Sequence, residues 1–398
     1  MGASDILDTG RQRRECTIVR FVHSGDWQLG MTRHFLSTGE QERYSEARLD
    51  AVRALALLAT QEECSFAVVC GDVFDSNLVD RSVVVRALDA LGTFTVPVYL
   101  LPANHDPLNA ASVYRSRTWL EHCPAHVVVL AAADPVAVPD VAAEVVGAPW
   151  DSKQPLEDLA ARACTGLPPR PTPGTARILV AHGAVDTLSP DKDEPSLIRL
   201  SAAEQALADG VVDYIALGDR HSVTDVGGTG RIWYAGTPLV TDYTEDAPNE
   251  ALVVTLEAGG SCDVARHAVG TWRFVRESFP IDGAESVAAV DAFLEALPAK
   301  RETVVKLSFQ GTVSLAEKAR LDGLLEHYSD LFAALETWER HTDLVVKPDE
   351  DDLRDLGLSG FAAAALEEIR TLAEANGEAG QTAQDALDLL YRLARSSG

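Results

Sequence analysis

The chain has 398 residues, enough for two or three folded units at roughly 100–200 residues each. Apolar residues make up 46% of it, which supports a packed core and argues against disorder. Its 34 Lys and Arg against 61 Asp and Glu leave a formal net charge of −27; this argues against unaided binding to nucleic acid, where basic side chains must neutralise phosphates. The six cysteines (Cys16, Cys64, Cys70, Cys123, Cys164, Cys262) form no CxxC pair and no zinc-knuckle spacing, and read as small buried hydrophobes in a reducing compartment. No run of about 18 apolar residues is present to span a membrane. Residues 1–15 lack an apolar signal core, so a flexible leader, a cytoplasmic location and no membrane contact are expected.

Between Thr17 and Ala268 short β-branched runs alternate with helical stretches. TIVRFVH, FAVVC, VPVYLL, HVVVL, ARILVAH and DYIALG read as buried strands, and Glu40 to Gln61 and Asp80 to Leu91 as amphipathic helices. RIWYAG, ALVVTLEA and CDVARHAV read as antiparallel strands that close a domain over residues 16–270. This alternation predicts a layered α/β or αββα fold, with chemistry at loops leaving the carboxyl ends of strands. GLPPRPTPG (Gly166 to Gly174) reads as an exposed loop. From Thr271 the pattern changes to strand, helix (Glu285 to Leu297), strand (Thr303 to Gln310) and helix (Leu315 to Tyr328), a small α+β module over 271–347. Residues 348–398 begin with the acidic run DEDDLRDLG, then carry two helical patterns, Phe361 to Asn376 and Thr382 to Ala394.

Five of the predicted strands in the first domain are followed by residues able to bind metal. TIVRFVH leads to Asp26 and Gln28, FAVVC to Asp72 and Asp75, and VPVYLL to Asn104, His105 and Asp106. ARILVA leads to His182 and DYIAL to Asp219 and His221. Hard or borderline divalent ions take such mixed carboxylate, amide and imidazole ligands, and two ions about 3.5–4 Å apart need a shared carboxylate, for which Asp72 is the natural candidate. Any one block alone is weak, since a strand ending in Gly-Asp is common turn chemistry.

The ordered set Asp-x-Gln, Gly-Asp-x-x-Asp, Asn-His-Asp, His-Gly and Gly-x-x-His resembles the calcineurin-like metallophosphoesterases. FVHSGDWQLG, GDVFDS, LLPANHDP and YAGTPL look like the SbcD branch of DNA-repair nucleases within it. The resemblance covers about residues 17 to 245. It implies a four-layer αββα metallophosphoesterase sandwich with a small α+β cap module and a helical C-terminal tail. It also implies two divalent ions, most simply Mn²⁺ with Mg²⁺ or Fe²⁺ as alternatives. By position, one ion would be held by Asp26, Gln28, Asp72 and His221, the other by Asp72, Asn104, His182 and Asp219. His105 would be the general acid and Asp106 would orient its ring. The implied activity is metal-dependent cleavage of DNA, exonucleolytic or endonucleolytic. The implied partners are DNA and an SbcC-like coiled-coil ATPase docked on the C-terminal helices, and a homodimer is expected.

This sequence departs from the pattern in three places: the family usually has His at Gln28, Gly at Ala103 and His at Asp219. A carboxamide is a weaker ligand than imidazole, and Asp219 adds negative charge, so the site is expected to favour harder ions. Two other readings remain open on the residues: a phosphoesterase for a small phosphate ester or nucleotide, favoured by the acidic charge, and a metal-impaired binding scaffold. His23 reads as a site neighbour or a buried structural histidine. Trp27 and Trp150 read as packing residues. Arg33, His34, Arg81, Arg115 and Arg117 could grip phosphates, although surface arginines are usually only solvated.

Overall fold

The computed structural model describes residues 18–257, 260–346 and 360–373, with scattered positions between 377 and 387. The predicted leader, the acidic run after Pro348 and most of the predicted helix Thr382 to Ala394 lie outside the described residues. The chain divides into two compact units, Met1–Thr32 with Arg43–Thr271, and Arg33–Glu42 with Trp272–Gly398.

The first unit contains twelve strands among the described residues. They are β1 (Ile18–Ser24), β2 (Phe66–Val69), β3 (Val98–Leu100), β4 (Val127–Val129), β5 (Val136–Ala137), β6 (Ala143–Gly147), β7 (Ala176–His182), β8 (Tyr214–Gly218), β9 (Thr224–Asp225), β10 (Ile232–Tyr234), β11 (Glu250–Glu257) and β12 (Cys262–Ala268). They form two six-stranded sheets, ordered β12-β11-β1-β2-β3-β4 and β5-β6-β7-β8-β10-β9. β1 to β4 run parallel, and β11 and β12 join as an antiparallel edge. The helices are α1 (Thr38–Gln61), α2 (Arg81–Leu91), α3 (Arg117–His122), α4 (Leu159–Cys164) and α5 (Leu200–Ala208).

Side-chain alternation along each strand divides the apolar residues between two faces. Phe21, Phe66, Val68 and Tyr99 pack with Ile178, Val180, Tyr214 and Ala216 from the other sheet. The alternate residues Val22, Ala67, Val69, Val98 and Leu100 pack with Leu49, Val52 and Leu55 of α1, Leu88 of α2 and Trp119 of α3. Leu179, Ala181, Ile215 and Leu217 meet Leu159 and Ala163 of α4 and Ala203 of α5. The result is the expected four-layer αββα sandwich. Each aromatic buried between the sheets contributes about 1.5–3 kcal/mol, against about 1 kcal/mol for an ordinary hydrogen bond.

Two sequence expectations change here. The pattern of RIWYAG predicts an antiparallel strand, but β10 pairs parallel with β8 and antiparallel only with the two-residue β9. The short β5 and β9 and the buried β6 are additional. β6 is disguised by Glu144, whose charge is met inside by Arg177, with Nε 2.5 Å from Oε1.

In the second unit β13 (Arg273–Ile281), β14 (Thr303–Val313), β15 (Ala334–Thr337) and β16 (Asp343–Val346) pair in parallel throughout. Helices α6 (Ala284–Ala296) and α7 (Leu315–Ser329) link them and bury Val290, Leu294 and Leu321 with Leu307 and Phe309. The module is therefore wound β-α-β-α-β rather than as segregated α+β layers, because parallel neighbours require a crossover and these helices supply it. Ser314 and Glu317 form a reciprocal capping box at the start of α7. A last helix, α8 (Phe361–Ala373), matches the first predicted helix of the tail.

Candidate metal centre

The site residues stand at the carboxyl ends of β1, β2, β3, β7 and β8. The backbone there is unusual. Asp26, Gln28, Asp72 and Asp219 have φ of 54°, 44°, 51° and 100°, in the left-handed region that L-residues seldom occupy. Such conformations cost about 1–3 kcal/mol each and persist only where surroundings over-determine them. Main-chain hydrogen bonds supply that constraint: Asp26 N to Gly71 O at 3.0 Å, Gln28 N to Asp72 O at 2.8 Å and Leu29 N to Val73 O at 2.9 Å.

The side chains converge. Ligand atoms of Asp26, Asp72 and His182 all lie within 4.8 Å of one another. Nε2 of His182 is 3.6 Å from Asp72 and 3.7 Å from Asp219, and Nε2 of His221 is 4.0 Å from Asp26. Gln28 Nε2 lies 3.2 Å from His221 Nε2. Asn104 directly precedes His105, whose amide donates to Asp72 Oδ1 at 3.1 Å. Among the buried side-chain atoms of the described residues without a hydrogen-bond partner, three belong to the predicted ligand set, Gln28 Oε1, Asn104 Oδ1 and His182 Nε2; Arg48 Nε, Ser112 Oγ and Glu336 Oε2 are among those outside it. An unsatisfied buried polar atom costs about 1–3 kcal/mol. A lone-pair donor with no proton to accept is what a cation requires, so the residues fit a metal pair.

Residues 19–254 match the calcineurin-like phosphoesterase family. The chain belongs to that family. The match includes every site residue named above. The structure is similar to a protein of Thermus thermophilus, at 9% identity and TM-score 0.37, covering 63% of this chain and 99% of that one. It is also similar to a dimetal phosphatase from Danio rerio (14%, 0.37, covering 64% and 100%) and to a purple acid phosphatase from yellow lupin, Lupinus luteus (11%, 0.38, covering 64% and 52%). No curated protein matches the chain. Membership of this phosphoesterase family implies metal-dependent hydrolysis of phosphate esters.

In this phosphoesterase the electrostatics are those of a crowded anionic cage. Burial pushes the Asp26 carboxyl up to about 7, with the imidazoles of His221 and His182 pulling the other way. Burial disfavours the charged form of His182, but Asp72, Asp26 and Asp219 together outweigh it and hold the imidazole up to about 9. A divalent cation would replace these protons and neutralise the carboxylates together.

Contacts behind the ligands are only partly legible in the sequence. His182 Nδ1 donates to the Cys70 carbonyl at 2.7 Å. His221 Nδ1 faces Thr241 Oγ1 at 2.7 Å and Glu245 Oε1 at 2.8 Å. Glu245, with a side chain only 5% exposed, escapes sequence reasoning; TDYTED carries no spacing that marks it. Its carboxylate fixes the His221 tautomer so that Nε2 carries a lone pair, turned toward the Gln28 amide and Asp26.

Asp106 requires a correction. It does not touch the His105 ring, whose Nδ1 donates to the Asp75 carbonyl at 2.8 Å. Its Oδ1 accepts from Ala103 N at 2.9 Å, and its Oδ2 accepts from Phe74 N at 3.1 Å and Tyr114 Oη at 2.6 Å. Asp106 is fully buried and ties the two ligand loops together, with its carboxyl pushed up to about 6, chiefly by burial. His105 is the most open imidazole of the site, its side chain 40% exposed against 0% for His182 and 23% for His221.

His23 is the buried structural histidine, bonded to Tyr214 Oη at 3.1 Å and the Leu217 carbonyl at 3.2 Å. Trp27 and Trp150 are buried; their indoles donate to Ser24 Oγ and the His182 carbonyl. Arg117 is taken up by Glu121 at 2.7 Å. No described helix is long and apolar enough to cross a membrane.

Proposed function

We propose that this phosphoesterase is a two-metal DNA phosphodiesterase of the SbcD kind, with His105 as general acid. The supporting observation is the cluster of Asp26, Asp72 and His182, with His182 Nε2 also 3.7 Å from Asp219, beside the unpartnered buried oxygens of Gln28 and Asn104 at neighbouring strand ends. Asp72 would be shared between the ions; Asp26, Gln28 and His221 would complete one set and Asn104, His182 and Asp219 the other. Bound ions, Mn²⁺ or else Mg²⁺ or Fe²⁺, would supply Lewis acidity at phosphorus and an activated water. His105 Nδ1–H is held by the Asp75 carbonyl, so Nε2, 3.9 Å from Asp72 Oδ2, is the ring nitrogen that would deliver a proton to a leaving oxygen from the doubly protonated imidazolium. Burial of Asp26, Asp72 and His182 excludes water from the floor of the site, while the exposure of His105 leaves the substrate side open.

The DNA substrate rests on the FVHSGDWQLG, GDVFDS, LLPANHDP and YAGTPL resemblance. In this reading the second unit helps to position DNA, α8 docks an SbcC-like coiled-coil ATPase, and the protein works as a cytoplasmic homodimer. The partner would also offset the charge of −27 against a polyanion. That same charge favours a second reading, in which the substrate is a small phosphate ester or nucleotide.

The test is Mn²⁺-dependent cleavage of end-labelled single- and double-stranded DNA beside a chromogenic monoester, with His105→Ala and Asp72→Ala in parallel. DNA cleavage lost in both variants is the expected result. Monoester turnover without DNA cleavage favours the second reading. Failure to retain metal or to act on either substrate would reduce the protein to a binding scaffold.

A further inference from the structure

Arg48 on α1 is 2% exposed. Its Nη1 donates to the Trp27 carbonyl at 2.6 Å and its Nη2 to Tyr44 Oη at 2.8 Å, with Met31 Sδ at 3.5 Å. The Tyr44 ring lies 4.9 Å from the guanidinium carbon. Every one of these partners is neutral, and no carboxylate of the described residues lies in salt-bridge range of Arg48. Taking a cation out of water without a counter-ion costs several kcal/mol. A Met or Leu would fill the same space at less expense, so packing alone does not account for it.

The contacts have one geometric effect. Trp27 is the residue between Asp26 and Gln28, and the Arg48 fork grips its carbonyl where both neighbours have positive φ. Through the other arm, Tyr44 Oη donates to the Val240 carbonyl at 2.6 Å. Val240 adjoins Thr241, which with Glu245 holds His221. One guanidinium thus braces the loop of Asp26 and Gln28 on one side and the support of His221 on the other. None of its hydrogen bonds reaches the segments carrying Asn104, His182 or Asp219.

We infer that Arg48 is a positioning residue for one metal position, the one bounded by Asp26, Gln28 and His221. This rests on the two-metal reading above. The role fits the weak amide ligand: Gln28 brings less intrinsic affinity than an imidazole, so that position depends more on pre-set geometry. Removing Arg48 lowers affinity at this position and leaves the other as it was.

The test is calorimetric titration of Mn²⁺ into the chelator-treated full chain, for wild type, Arg48→Met, His221→Ala and the double variant. Wild type takes up two ions. Arg48→Met weakens one of them by about 10–100-fold, as loss of a ligand's support does, and keeps the other. Adding Arg48→Met to His221→Ala changes little more, because both act on the same ion. Equal weakening of both ions, or no weakening, overturns the inference. Where Arg48→Met does not fold, Tyr44→Phe decides: it cuts the arm to Val240 alone, and selective loss of the same ion upholds the assignment while unchanged binding overturns it. A wild type that binds no pair of ions overturns this inference and the two-metal reading together, and the wild-type titration alone identifies that case.

Discussion

The carbonyl of Cys70 accepts a hydrogen bond from Nδ1 of His182 at 2.7 Å, and so joins the end of a strand in one sheet to the end of a strand in the other. The bond sets the ring so that Nε2 faces Asp72 and Asp219. Gly218, opposite His182 in the β7–β8 register, leaves the room for it: a Cβ there would overlap the Cys70 carbonyl oxygen and press on His182 Nδ1. Gly218→Ala is therefore expected to cost about 1–3 kcal/mol through overpacking, and to lose Mn²⁺ affinity as well. Thermal unfolding and metal titration on the same sample check this; a variant that binds Mn²⁺ like wild type contradicts it.

Asp106 makes a different prediction from the one its place beside His105 suggests. Asp106→Asn leaves one oxygen to serve three donors and sets an NH₂ against Phe74 N–H and Tyr114 Oη or against Ala103 N–H. Stability should fall by about 1–3 kcal/mol. Hydrolysis should fall only as the folded fraction and metal occupancy fall, with turnover per folded, metal-loaded molecule unmoved. A fall in that turnover would restore an orienting role for Asp106.

Metal removal should destabilise the first unit. Binding to the folded state alone stabilises by RT ln(1 + [L]/Kd), about 2.7 kcal/mol at a hundredfold excess over Kd. The melting transition should move up with added Mn²⁺ and back down with chelator, and the shift should vanish in Asp72→Ala.

His23 predicts an acid-sensitive fold. Burial lowers its imidazole from 6.5 to about 3, opposed only by the Leu217 carbonyl. The unfolded chain thus binds a proton that the folded chain refuses between those values, so its contribution is complete above about pH 6.5 and is lost as pH falls toward 3. The slope is at most about 1.4 kcal/mol per pH unit. In urea unfolding at pH 7 and pH 5, the stability advantage of wild type over His23→Gln should shrink at the lower pH. An advantage that stays constant would mean that His23 is charged inside the fold.

The parts of the site legible in sequence are those where one residue does two jobs. Asp26, Asp72 and Asp219 end strands and also face the centre, so strand pattern and ligand type coincide in a few letters. Glu245, Tyr114 and Arg48 act on residues 24, 8 and 21 positions away through tertiary contacts, and no local spacing carries that. The role of Asp106 is hidden for the same reason: adjacency in sequence to His105 says nothing of which way a buried carboxylate points. Among the strands, β8 and residues 178–181 of β7 stand out as apolar runs, whereas β6 hides its identity behind Glu144, whose partner Arg177 lies 33 residues on.

The left-handed backbone at Asp26, Gln28, Asp72 and Asp219 also bears on how this protein can decay over generations. Asparagine accepts that conformation at least as readily as aspartate, and one base change separates the two in the genetic code. At three of the four positions the commonest silent-looking lesion would therefore remove a charge that binds metal while relaxing nothing in the chain. Such descendants would keep the backbone of these turns and lose metal affinity.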